Sequence, residues 1–205
     1  MRFSIIVPIH NSEAFMEKCL DSIKMQTFKD YELIIVLDAC TDNSEQIARK
    51  YTDNIITVDY HDNGLARNPA IQKAQGDYTL FLDSDDWWIH EFVLELLDEK
   101  LKEKNPDILY FSFIVKGRKY QSPLCRRYLP GFWNKCWKTE FIRPIKVKGT
   151  GHGADRIFQD EALMKDPVIV EWDKLMYYYN YMRKGSVTEL RLRSNEKEER
   201  DKMYE

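Results

Sequence analysis

Two near-continuous apolar runs, FSIIVP (residues 3 to 8) and ELIIVL (residues 32 to 37), each stop at a polar turn that leads into a helix-spaced segment. Strands covered on both faces read this way, because a strand with one wet face alternates apolar and polar residues. After the first run, Asn11 and Ser12 are placed to cap a helix marked by Phe15, Cys19, Leu20 and Ile23. After the second, Asp42-Asn43-Ser44-Glu45 opens a short helix over residues 44 to 51. Residues 55 to 58 supply a third strand. A helix-like segment then runs to Gln75, with Pro69 tolerated near a helix start and Gly76 placed past the C-cap.

Residues 78 to 82 form a fourth apolar run, and it ends on three carboxylates within four residues: Asp83, Asp85 and Asp86. Such crowding repels unless a cation sits nearby. A divalent ion with hard oxygen ligands, Mg2+ or Mn2+, suits a strand end and commonly bridges one or two carboxylates to substrate phosphates. The plainer alternative is a polar turn in which Asp86 caps the next helix. That helix carries Ile89, Phe92, Val93, Leu96, Leu97 and Leu101 on one face and ends at Asn105-Pro106. Residues 107 to 115 then make a fifth strand. The alternation implies an α/β fold with an open, mostly parallel sheet flanked by helices.

Beyond residue 116 the rhythm is lost. Residues 131 to 138 (GFWNKCWK) and 175 to 182 look extended, and residues 155 to 165 look helical after a Gly149 to Gly153 loop. Residues 189 to 205 are mostly charged without an apolar stripe, as in a solvated helix or a disordered tail.

A chain of 205 residues supports one substantial core, and a net charge of −3 argues against nucleic acid or an anionic membrane as the main partner. The scattered Cys19, Cys40, Cys125 and Cys136 lack zinc or redox spacing and read as free thiols. A strand beginning at Phe3 leaves no room ahead of it for a signal peptide, and no run approaches the roughly 20 apolar residues of a membrane span. The expectation is a cytoplasmic protein, with peripheral contact at the inner membrane face left open.

In an open parallel sheet, ligands bind at the carboxyl ends of the strands. Those ends carry residues 8 to 13, 38 to 42, 59 to 63 and 83 to 86, so four polar clusters converge on one edge. Neither a dinucleotide Gly-x-Gly-x-x-Gly nor a P-loop is present. A nucleotide could instead use Asp38 for a base N–H, Arg67 for a phosphate and a metal on Asp85. Asp38 as a simple turn cap, Arg67 as a surface arginine and His152 as an exposed loop residue are the alternatives. Trp87, Trp88, Trp133 and Trp137 divide between core and sugar-stacking roles. Arg183 and Lys184, after the tyrosines at 177 to 181, suit either an anionic ligand or a solvated turn.

The segments SIIVPIHNSEAFMEKCLDSI, ELIIVLDACTDNS and NGLARNPAIQKAQGDYTLFLDSDD, with GFWNKCWKTEFI and YYYNYMRKGSVT further on, resemble the family 2 glycosyltransferases of the GT-A fold over residues 3 to 188. Asp83-Ser84-Asp85 matches that family's DxD signature. The resemblance implies a nucleotide-sugar donor, most often a UDP-sugar, and inverting transfer to a saccharide or lipid-linked acceptor in polysaccharide or cell-surface glycan synthesis. It implies a donor-binding half over residues 1–115, an acceptor-side half over 116–188 and a tail over 189–205. It places Pro8, Ile9 and Glu13 around the nucleoside, Asp38 on the base, and Arg67, Asp83 and Ser84 at the donor. Asp85 is placed on Mn2+ or Mg2+. The family's Glu-Asp pair at a helix start, whose Asp is the base, has its counterpart in Asp160-Glu161. Leu37-Asp38-Ala39-Cys40 departs from the family's DDGS turn by one acid and the glycine. A nucleotide-sugar-binding module without turnover and a nucleotidyltransferase are the competing readings.

Overall fold

A computed structural model describes residues 1–115, the backbone of 118–120, and residues 131–149, 153–181, 183, 184, 186, 189 and 190. The first strands are β1 (Phe3–Ile9), β2 (Tyr31–Asp38), β3 (Ile55–Val58) and β4 (Tyr78–Phe81), laid side by side as β3-β2-β1-β4 and parallel throughout. Every residue of β1 and β4 is buried, which is why those runs do not alternate. Helices α1 (Met16–Lys24), α2 (Ser44–Ala48) and α3 (Arg67–Lys73) make the connections.

The sheet continues into the second half of the chain. The further elements are β5 (Trp87–Trp88), α4 (Val93–Lys104), β6 (Ile108–Val115), β7 (Arg118–Tyr120), a 3-10 turn (Phe132–Asn134), β8 (Lys135–Lys138), α5 (Thr139–Ile142), α6 (Ala154–Leu163) and β9 (Ile169–Tyr178). The strand order beyond β4 is β8-β6-β9-β5, with β7 on β6. Strand β8 runs antiparallel to both β4 and β6, whereas β9 lies parallel to β6 with a bulge near Ser112. The α/β architecture expected from the sequence is present, but "mostly parallel" holds only for β3-β2-β1-β4; the other half is mixed. Insertion of β8 between β4 and β6 is a non-local pairing that local periodicity cannot register.

One core spans both halves. Phe158 of α6 meets Phe132 at 5.0 Å and Trp137 at 5.4 Å between ring centroids, tying helix to sheet. Trp88, Trp133 and Trp137 are buried, and Trp87 alone of the four tryptophans considered above stays half-buried. Cys19 and Cys136 are buried free thiols and Cys40 is half-buried; Cys125 lies outside the described residues.

Several local expectations are revised. Helix α1 begins at Met16 without a side-chain cap, and Asn11 and Ser12 serve the neighbouring loops instead. Helix α2 ends at Ala48, short of Tyr51. Pro69 sits in the first turn of α3, where its missing N–H costs nothing. That helix is capped at Ala74, so Gly76 is not its terminator. A Cβ on Gly76 would stand 2.5 Å from the Phe3 carbonyl carbon and the Ser4 nitrogen, so glycine lets the start of β4 press against β1. We expect Gly76→Ala to lower unfolding free energy by about 2 kcal/mol in urea titration, since backbone must move to admit the methyl. A loss below about 0.5 kcal/mol would show that the contact relaxes freely.

Candidate active site at the carboxyl edge of the parallel strands

The rim is built by side chains that hold backbone. Asp38, at the end of β2, is buried; its Oδ1 accepts the amides of Tyr60 (2.7 Å) and His61 (2.9 Å), and its Oδ2 that of Asp62 (2.8 Å). Asp62 Oδ1 in turn accepts from Gly64 and Leu65, fixing the entry to α3. Glu13 Oε2 takes both the amide and the Nδ2 of Asn43, while the Glu13 amide donates to Asp42. Asn11 Oδ1 accepts the Thr41 amide. Asn11, Ala39 and His61 adopt left-handed φ of 45°, 49° and 51°. Ala39 therefore keeps the conformation a glycine would supply at that turn, at a steric cost. Pro8 and Ile9 lie buried within β1, paired with Val36 and Leu37.

At the end of β4 the three carboxylates part company. Asp83 Oδ1 receives Arg67 Nη2 at 2.5 Å; Arg67 is 3% exposed, packs over the Phe132 ring at 4.6 Å and also donates to the Asn63 carbonyl. Asp85 Oδ2 receives Arg183 Nε at 2.9 Å, with Arg183 lying over the Phe15 ring at 3.8 Å. Asp86 is fully buried and accepts from Tyr177 Oη (2.6 Å) and the Asn180 amide (2.8 Å). It is not a helix cap. Ser84 Oγ meets Ser12 Oγ at 2.9 Å, joining the acidic turn to the loop after β1.

The charges still press on one another. Burial pushes the Asp83 carboxyl up, Arg67 opposes that, and the charges of Asp85 and Asp155 add to it. Burial, then Asp83 and Asp85, push Asp86 well above the usual carboxylate range. A cation beside Asp85 would relieve all three. Among the described residues no group of three His, Cys, Asp or Glu forms a closed metal cage. Asp85 Oδ1 accepts no bond from the described residues, and its side chain is 20% exposed. Such a donor set fits Mg2+ or Mn2+ shared with phosphate oxygens rather than a protein-only site.

Asp155 lies in the first turn of α6, and its place at a helix start is the one sequence signal that marks it. Its charge reaches Asp83. Asp160 and Glu161 lie elsewhere on the same helix. Asp160 is exposed, and Glu161 pairs with Lys148 at 3.3 Å. Five residues of α-helix rotate a side chain by about 140°, so Asp155 and Asp160 face nearly opposite ways. Trp87 stacks on Tyr178 at 4.1 Å, with Lys18 Nζ 3.2 Å from its ring centroid. His152 lies outside the described residues.

Residues 4–164 match the family model described as Glycosyl transferase family 2. Glycosyltransferase GlyA of Streptococcus pneumoniae is 27% identical over 220 residues, covering 91% of this chain and 31% of the relative. The poly(ribitol-phosphate) beta-glucosyltransferase of Bacillus spizizenii is 30% identical over 210 residues, covering 90% of this chain and 33% of the relative. The structure of S. aureus TarS 1-349 in complex with UDP-GlcNAc superposes with a TM-score of 0.80 at 26% identity, over 92% of this chain and 61% of that one. The chain spans about a third of the length of these two curated relatives.

Arg67→Ala strands Asp83 beside Asp85 without its buried counter-charge. We expect a loss of about 3 kcal/mol in chemical denaturation, partly recovered in Arg67→Ala/Asp83→Asn. Additive losses in the double variant would show that the pair is not a coupled unit.

Proposed function

The chain belongs to glycosyl transferase family 2, and from that premise we propose that it binds a nucleoside-diphosphate sugar at this edge and transfers the sugar with inversion. In our reading the donor is a UDP-sugar and the acceptor a hydroxyl of a saccharide or lipid-linked glycan, in cell-surface polymer synthesis. The observation that carries the reading is the Asp83–Arg67 pair beside Asp85 at the carboxyl end of β4, next to the ends of β1 and β2, the usual ligand crevice of such sheets, with the charge of Asp155 felt at Asp83. The UDP-GlcNAc complex of the structural relative and the wall-polymer glucosyltransferase among the sequence relatives support the donor and acceptor classes.

The roles follow from charge. Residues 1–115 hold the donor, with the base against the rim whose backbone Asp38 and Glu13 organise over Pro8 and Ile9. Arg67 counters the effect of burial on Asp83, which in this reading faces ribose or sugar, and Ser84 ties that turn to the first loop. Asp85, together with diphosphate oxygens, would hold Mn2+ or Mg2+, which when bound supplies Lewis-acid stabilisation of the departing diphosphate. Residues 116–188 face the acceptor. A carboxylate must take the acceptor hydroxyl's proton as the oxygen attacks the far face of the sugar. We place that base at Asp155, second residue of α6, rather than at Asp160 or Glu161. The charge of Asp155 is felt at Asp83, and it stands at the helix start with Ala154 before it. No helix among the described residues is long and apolar enough to cross a membrane; the reading of a cytoplasmic enzyme touching the inner membrane face is part of this proposal.

The test is acceptor-dependent UDP release from UDP-sugars in the presence of Mn2+. We expect Asp155→Asn to cut the rate by about 100-fold or more while UDP binding survives, and Asp160→Asn to stay within a few-fold of wild type. Release that survives Asp155→Asn removes the base assignment. Absence of any acceptor-dependent release across UDP-sugars removes turnover and leaves a binding module.

A further inference from the structure

We propose that Arg183 is the resident counter-ion of Asp85: it holds the carboxylate until a divalent cation takes its place, and the freed guanidinium then pairs with the donor's diphosphate. The inference rests on the donor site described above and adds an exchange of partners within it.

The three carboxylates of the turn are not equally committed. Asp83 is 28% exposed, but its partner Arg67 is only 4% exposed and held from a second side by the Asn63 carbonyl, so that pair is locked from the arginine side. Asp86 is enclosed between Tyr177 and the Asn180 amide. Asp85 and Arg183 are both partly open, at 20% and 24% side-chain exposure. Among the described residues the Arg183 side chain otherwise meets the Phe15 ring at 3.8 Å and the Lys184 carbonyl at 3.0 Å. Of the three acids it is therefore Asp85 that can change partner at low cost, since part-exposed pairs are weak.

Exchange also follows from chemistry. A guanidinium and a divalent cation both seek the same carboxylate charge, and two cations close together at Asp85 repel. Arg183 cannot drift far when displaced, because the Asn180 amide, three residues earlier, stays bound to Asp86. The planar fork of arginine matches phosphate oxygens, and a diphosphate brought to Asp85 by the metal lies within the same neighbourhood. Without a diphosphate, the metal must push Arg183 into a site lacking an anion; with one, the displaced cation gains a partner. Metal and nucleoside diphosphate should thus bind cooperatively, with Arg183 as the coupling element.

The experiment measures Mn2+ binding to the full chain by electron paramagnetic resonance of free Mn2+, with and without UDP. Wild type should bind Mn2+ weakly alone and about tenfold or more tightly with UDP. Arg183→Gln keeps a polar side chain at this position but removes the charge; it should bind Mn2+ alone about fivefold or more tightly than wild type, with a correspondingly smaller gain from UDP. Arg183→Lys should behave like wild type in Mn2+ alone. If Arg183→Gln does not fold, Phe15→Leu, which withdraws the ring beneath the guanidinium, carries the same expectation for Mn2+ alone. UDP-assisted Mn2+ binding in wild type with no gain in Arg183→Gln or Phe15→Leu overturns the exchange and leaves the donor site standing. Absence of UDP-assisted Mn2+ binding in wild type and variants alike overturns both.

Discussion

Three carboxylates in four residues at the end of a buried strand are the constraint to which the rest of this molecule answers. Asp83, Asp85 and Asp86 repel one another, and the turn stands because α3, β9 and the segment after β9 each send it a partner. Arg67 neutralises one acid from inside the protein, Tyr177 and Asn180 surround the second, and Arg183 covers the third from the solvent side. Burial first, and then the crowded charges, raise the carboxyl pKa of Asp83 and Asp86.

The same partners explain why the two halves of the sheet form one body. The parallel strands deliver the acidic turn and the three loops beside it. Strand β9 and the segment after it carry Tyr177 and Arg183 to its other flank, and the core contacts of Phe132, Trp137 and Phe158 fix α6, whose Asp155 adds its charge at Asp83. In the proposed reading, donor-side and acceptor-side chemistry meet across this turn, as displacement at an anomeric carbon needs: a leaving group on one side and a proton acceptor on the other.

Much of this was legible in the sequence, for physical reasons. Apolar runs without alternation announced strands buried on both faces, and the abrupt change to acids at Asp83 marked the strand end where ligands gather. What stayed hidden depends on non-local contacts. The insertion of β8 between β4 and β6 leaves no local signal. Gly76 looks like a helix terminator, and its close contact with Phe3 and Ser4 appears only when β1 and β4 are side by side. Asp38 and Glu13 read as ligand contacts, yet their oxygens are engaged in holding neighbouring loops. Asp155 has no acidic neighbour to mark it in the sequence, and helical phase turns Asp160 to a nearly opposite face of α6. Arg183 was visible as a basic residue near a strand end; its carboxylate partner lies 98 positions earlier and could not be named from spacing.

A crystal structure of the full chain with UDP and Mn2+ tests the central claim most directly. The account requires the ion on the Asp85 carboxylate and the diphosphate, with the Arg67–Asp83 pair unbroken. A diphosphate bound away from this turn, or an ion seated elsewhere while Arg183 still covers Asp85, would contradict it.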